Sequence, residues 1–177
     1  MRRFAIVALA LAFLPGVLFA EDKAKQAPKV VLQSPDGKKT YDLEKLTKDG
    51  PVLVRLTCAC SGCDQELAYF QKLQAAYNRK GLQTVAVFRE KPEAAETYAV
   101  KKDVKFMWLA DPKGELWKTF DAKVMPTNIL IDKGGRVVKV VPGCTKDGKN
   151  AQVLSGEIAK LLKTTEAPIV EAKKEKN

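Results

Sequence analysis

The chain has 177 residues, enough to bury one sizeable core and short for two domains. Its balance of 46% hydrophobic and 29% charged residues is that of a globular protein, which argues against a fibrous or wholly disordered chain. A formal net charge of +10 raises nucleic acid and anionic membranes as partners, but the lysines are spread along the whole chain without an aromatic-interleaved basic stripe, so no nucleic-acid partner is expected.

Met1-Arg2-Arg3 is a positive start, Phe4 to Leu14 an apolar run, and Pro15-Gly16 a break before Leu18-Phe19-Ala20. This order predicts a secretory signal peptide over residues 1–20, cleaved after Ala20. The interrupted run spans a bilayer poorly, so no stable membrane span is expected after cleavage, and the mature protein should be periplasmic or extracellular. Losing Arg2 and Arg3 lowers the net charge by two. Residues 21–29 are charged and contain Pro28, and read as a linker.

From Val30 onward the chain alternates between strand and helix signals. Val30 to Gln33 and Lys38 to Tyr41 read as strands about a Pro35-Asp36-Gly37 turn. Leu43 and Leu46 suggest a helical turn. Val52 to Thr57 is β-rich and mostly apolar, as a buried central strand should be. Asp64 to Lys80 is predicted as one helix, with Leu67, Phe70, Leu73 and Tyr77 at helical spacing and Gly81 as its stop. Leu82 to Phe88 is a second strand. Pro92 opens a helix over 93–102. Phe106 to Ala110 is a third strand, followed by a short helix over 116–120. Asn128 to Ile131 and Val137 to Val141 form a hairpin around Lys133-Gly134-Gly135, and residues 151–163 a closing amphipathic helix. Residues 164–177 are polar, rich in Lys and Glu, and read as a charged disordered tail. Strands alternating with helices imply an α/β domain over 30–163, with a largely parallel sheet covered on both faces and a closing antiparallel hairpin.

Cys58, Cys60, Cys63 and Cys144 are the cysteines of the chain, and it has no histidine. That excludes Cys-His and Ser-His catalysis and any histidine metal ligand. A structural disulfide framework ties distant segments, whereas three of these cysteines fall within six residues; such crowding points to redox or metal chemistry. Cys60-Ser61-Gly62-Cys63 stands between a buried strand and a helix. At a helix N-terminus, unpaired N–H groups and the positive end of the dipole favour a thiolate, which makes Cys60 the expected nucleophile. Cys63, one turn later and less exposed, is the expected resolving thiol.

These segments resemble the thioredoxin-like superfamily, in the branch of TlpA-like exported oxidoreductases and redoxin (AhpC/TSA-type) proteins. Val30 to Leu46 is similar to that branch's N-terminal hairpin. Val52 to Cys63 resembles its strand and C-x-x-C segment. Val124-Met125-Pro126-Thr127 with Ile129 to Asp132 and Gly135 to Val138 resembles its cis-proline strand and hairpin. The similarity covers about Pro28 to Lys163. It implies a thioredoxin-like fold, a central mixed sheet flanked by helices with an N-terminal β-hairpin extension. It also implies a thiol–disulfide oxidoreductase acting on protein or small-molecule disulfides and thiols, with a separate electron donor or acceptor and no cofactor or metal. By the same resemblance the Met125–Pro126 bond is cis and lies beside Cys60, where the Met125 backbone would pair with a substrate segment.

Three departures stand out. Ala59 replaces the tryptophan usual before the first cysteine. Arg55 stands where a buried carboxylate is expected, so no acidic proton acceptor is evident, and a nearby cation would favour thiolate. Cys58 and Cys144 are extra. Cys144 follows the last strand, whose end should lie near Cys60 and Pro126, and is either a third redox thiol or a free cysteine. A Cys58–Cys60 disulfide is expected to be strained, leaving Cys58 to pair with Cys144 or stay inert. Two alternatives remain open: a peroxiredoxin-type peroxidase with Cys60 as the peroxidatic cysteine, Thr57 contacting peroxide and Arg55 or Arg89 as candidate activators, or a soft-metal module in which Cys58, Cys60 and Cys63, with Cys144 as a possible fourth ligand, hold copper or zinc.

Overall fold

The computed structural model describes residues 25–36 and 38–170; the expected signal peptide, the first linker residues and the last seven residues lie outside that range. Two short strands, β1 (Val31–Gln33) and β2 (Thr40–Asp42), form a separate antiparallel hairpin. Asp42 then caps α1 (Leu43–Asp49), its carboxylate accepting the Glu44 N–H. The main sheet has five strands in the order β5-β4-β3-β6-β7. Strands β3 (Val52–Thr57), β4 (Gln83–Phe88) and β5 (Met107–Ala110) run parallel, and β6 (Thr127–Ile131) and β7 (Val137–Pro142) close the sheet antiparallel. The mixed sheet and the N-terminal hairpin agree with the fold implied by the sequence.

Strand β3 sits in the middle, and all six of its residues are buried. Its side chains alternate between two cores. Val52, Val54 and Leu56 join Val85, Val87, Ile129 and Ile131 on the face that carries the N-terminal hairpin, α1 and α5 (Glu115–Thr119). Leu53 joins Ala86, Phe88 and Leu130 on the other face, under α3 (Leu67–Tyr77), α4 (Pro92–Lys101) and α6 (Lys149–Leu162). Each large apolar side chain removed from water contributes about 1.5–3 kcal/mol, so both layers are held mainly by this burial.

Two features depart from the expected elements. The helix predicted from Asp64 to Lys80 is broken: a single turn, α2 (Ser61–Asp64), is followed by α3, and Asn78–Lys80 finishes as a 3₁₀ turn. The break falls at Glu66, whose carboxylate is drawn into the core. The segment read as a disordered tail packs, as far as Val170. Ala167 N–H donates to the Tyr77 hydroxyl at 2.7 Å, Ile169 N–H donates to Gln152 Oε1 at 2.7 Å, and the Ile169 side chain is buried. The linker's end is ordered too: Ala27 N–H donates to the Gly135 carbonyl, and Val137 N–H to that of Lys25.

Arg55 occupies the core face of β3, 2% exposed, with its guanidinium 4.1 Å above the Phe70 ring. Its Nη1 donates to Asn128 Oδ1 at 2.8 Å and to Glu66 Oε2 at 3.3 Å, and its Nη2 to the Cys63 carbonyl at 3.2 Å. Burial pulls this guanidinium below its ordinary pKa, and the Glu66 carboxylate acts against that pull. Glu66 is fully buried, and its other oxygen accepts the Thr145 N–H at 3.0 Å. Removing one partner strands the other's charge in the interior. Glu66→Ala should therefore destabilise the fold by roughly 3–5 kcal/mol in urea unfolding. Replacing both with apolar residues (Arg55→Met with Glu66→Leu) should recover most of that loss.

Candidate active site

The site forms where β3 ends and the chain turns into α2. Thr57 closes the strand; its carbonyl accepts the Arg89 N–H at 3.1 Å, and its side chain is buried. Cys58 and Ala59 are half-buried, and Cys60 is exposed. Cys60 has extended backbone and stands at the N-cap of α2, where its carbonyl accepts the Asp64 N–H at 3.1 Å. Cys63, within that single turn, points inward and is 4% exposed. Cys63 is thus the less exposed of the two thiols, as its place one turn after Cys60 predicts.

The pairing of the sulfurs differs from expectation. Cys58 and Cys60 are joined in a disulfide, and Cys63 and Cys144 are free. Cys58 therefore neither pairs with Cys144 nor stays unbonded, the two alternatives the sequence left for it. The chain bends at Ala59 and Cys60, and the two Cα atoms are 5.3 Å apart, inside the usual range of about 4.4–6.8 Å. Cys63 Sγ lies 3.2 Å from Cys58 Sγ. The Sγ atoms of Cys58, Cys60 and Cys63 all fall within 4.8 Å of one another, a group that does not include Cys144. The three thiolates, once reduced, could converge on a soft metal ion; with the disulfide closed, two of them are unavailable as thiolate ligands.

Cys144 is exposed in the loop after β7. That loop is tied to the site through its neighbours: Gly143 N–H donates to the Pro126 carbonyl at 2.7 Å, and Thr145 N–H to Glu66. The Met125–Pro126 bond is cis. Pro126 is buried and Met125 half-buried. Leu56 pairs with Thr127 across β3 and β6, so the register carries Pro126 to the end of β3 beside the cysteine segment.

Two acidic groups were missed in the sequence. The reading of Arg55 as leaving the site without a carboxylate is corrected by Glu66, which reaches it from the helix side. Glu66 lies on the stripe formed by Cys63, Phe70, Leu73 and Tyr77, so its burial was readable from helical spacing once Arg55 was placed in the core. Glu90 sits after β4; its Oε1 accepts the Ala59 N–H at 2.9 Å and its buried Oε2 has no partner among the described residues. No spacing pattern points to Glu90, because only the parallel pairing of β3 with β4 brings the two loops together. Beneath Cys63, a void of about 10 Å³ lined by Arg55, Tyr98 and Phe106 has room for one water at most. Burial, with donation to Asp64, holds the Tyr98 hydroxyl well above its ordinary pKa, so it remains a donor. Burial acts to raise Asp64, but the hydrogen bonds from Lys102 and Tyr98 outweigh it and hold this carboxyl below its usual range.

Comparison with known proteins places this geometry. The AhpC/TSA family model matches residues 24–140. The thiol-disulfide oxidoreductase ResA of Bacillus thuringiensis subsp. konkukian is 32% identical over 132 residues, which cover 72% of this chain and 76% of that protein. A DsbE-type thiol:disulfide interchange protein from Chlorobium tepidum superposes with a TM-score of 0.70 at 28% identity, over 80% of this chain and 98% of that one. Peroxidoxin BcpB from Mycobacterium tuberculosis, at 20% identity, shares the fold with a TM-score of 0.65 over 79% of this chain and 95% of its own. With the family model spanning most of the described domain, the chain belongs to the AhpC/TSA family and is a thiol–disulfide oxidoreductase.

Proposed function

We propose that Cys60 is the entering nucleophile of this oxidoreductase and Cys63 its resolving thiol, acting on an extended substrate segment laid along Met125–Pro126. The observation that carries this reading is the gradient of exposure across three adjoining sulfurs: Cys60 open to solvent, Cys58 intermediate, Cys63 closed off. Cys60 is therefore the sulfur that a bulky partner reaches, and Cys63 reacts only within the molecule. In the reducing direction, the Cys60 thiolate attacks a substrate disulfide, forms a mixed disulfide and expels one substrate thiolate. Cys63 then attacks Cys60 Sγ, closing a protein disulfide and releasing the second thiolate. Substrate pairing at Met125 is supported by its main chain, which makes no hydrogen bond among the described residues although it continues the line of β6.

A peroxidase needs a free arginine beside its cysteine. Both candidates are engaged elsewhere: Arg55 holds Glu66, Asn128 and the Cys63 carbonyl, and Arg89 stacks 5.7 Å from the Trp117 ring. Thr57 is buried at the end of its strand. Among the described residues no helix is long and apolar enough to cross a membrane. The signal-like sequence from Met1 to Ala20 supports export to the periplasm or beyond, where thiols meet oxidised partners.

Cys60→Ser should lower the reduction of a protein disulfide by dithiothreitol to the level without enzyme; full activity would sink the assignment. Cys58→Ser with Cys63→Ser should accumulate a substrate mixed disulfide on Cys60, visible by intact mass. Oxidation of the reduced protein by hydrogen peroxide, followed by Trp108 and Trp117 fluorescence in stopped flow, should be no faster than that of a simple thiol; a fast reaction dependent on Cys60 would favour the peroxidase instead. The mature protein recovered from its producing cell should begin at Glu21 by mass spectrometry.

A further inference from the structure

The resolving thiol of the proposed mechanism faces a disulfide that does not include it. Cys63 is buried, carries a free sulfur, and lies 3.2 Å from Cys58 Sγ. That sulfur is already bonded to Cys60 and has no hydrogen to give, so the contact is a donation from the Cys63 thiol toward the disulfide. Reacting atoms held about 3–3.5 Å apart are in the range of a near-attack arrangement. Attack at Cys58 displaces Cys60, the one sulfur of the three that is exposed. A free thiol only 4% exposed is closed to a bulky outside partner, so the neighbouring disulfide is the group it is placed to meet.

We propose that Cys58 is a third redox residue, the pivot of an internal disulfide relay between Cys60 and Cys63. This rests on the reading of Cys60 as the entering nucleophile. In the relay, Cys63 loses its proton and its sulfur bonds to Cys58 Sγ. The Cys58–Cys60 bond breaks, its electron pair goes to Cys60 Sγ, and that sulfur takes up the proton. One disulfide and one thiol are present before and after, so the step needs no oxidant or reductant. Its result is an oxidised protein with the disulfide drawn inward at Cys58–Cys63 and with Cys60 again a free nucleophile at the surface.

Lys and Arg are absent between Arg55 and Lys72, so trypsin releases all three cysteines in one peptide. The full mature chain carrying Cys144→Ser is oxidised to a single disulfide in the triad, treated with a maleimide and digested. Fragmentation of the peptide then locates the label and the disulfide. The relay requires the label on Cys60 with a Cys58–Cys63 disulfide, and no label in the triad when Cys63→Ser is added. A label confined to Cys63, or no label at all, shows that the disulfide does not move and overturns the relay. A label on Cys58 with a Cys60–Cys63 disulfide also overturns it, while leaving the two-cysteine mechanism intact. Should the Cys60→Ser enzyme keep full activity, the underlying assignment of Cys60 falls instead, whatever the labels show.

Discussion

A guanidinium inside a hydrophobic layer must be answered by an anion, and much of the site's architecture follows from how this chain answers Arg55. The counter-charge comes from Glu66, eleven residues on, at the break between the cysteine turn and the following helix. The same carboxylate holds the loop after β7 through Thr145, and the same guanidinium holds β6 through Asn128 and the cysteine turn through the Cys63 carbonyl. Four segments distant in sequence are thereby fastened at one point directly under the sulfurs. An apolar pair in its place would keep the core closed but would leave the cysteine turn, the cis-proline strand and the final loop without a shared anchor.

The fold was legible where a single physical signal dominates. The apolar run of β3, the alternation in β4 and the turn residues between β6 and β7 report burial and chain reversal directly, and the observed strands agree to within a residue or two. Helical spacing placed α6 equally well. It misled at Asp64–Lys80, because periodicity records which side faces the core and not whether the backbone hydrogen bonds continue without interruption. The residues after Thr164 looked too polar to fold; Tyr77, Gln152 and Ser155 offer their main-chain groups partners that no composition reveals.

At the site, the thiol–disulfide chemistry was legible in the sequence, while the pairing of the sulfurs depended on geometry. Whether Cys58 can reach Cys60 turns on the local bend of the backbone at Ala59, and its closeness to Cys63 turns on how the single turn of α2 folds back. Glu90 entered through the alignment of two parallel strands, information that lies in the topology alone. A protein that kept a nucleophile exposed while oxidised would be able to rearrange substrate disulfides with no net transfer of electrons, a distinct task from reducing or forming them.

The edge of the main sheet has its own consequence. Strand β7 shows Val138 and Val140 to solvent along an unpaired side, the kind of apolar border on which another chain can add a strand and start an aggregate. Three features blunt it: Lys139 sets a charge between the two valines, Pro142 withholds an N–H at the far end, and Lys25 to Ala27 bridge to Arg136 and Val137 at the near end. Lys25 to Ala27 thus guard the sheet border, so a chain trimmed past them would expose more of it and trade solubility for a shorter N-terminus.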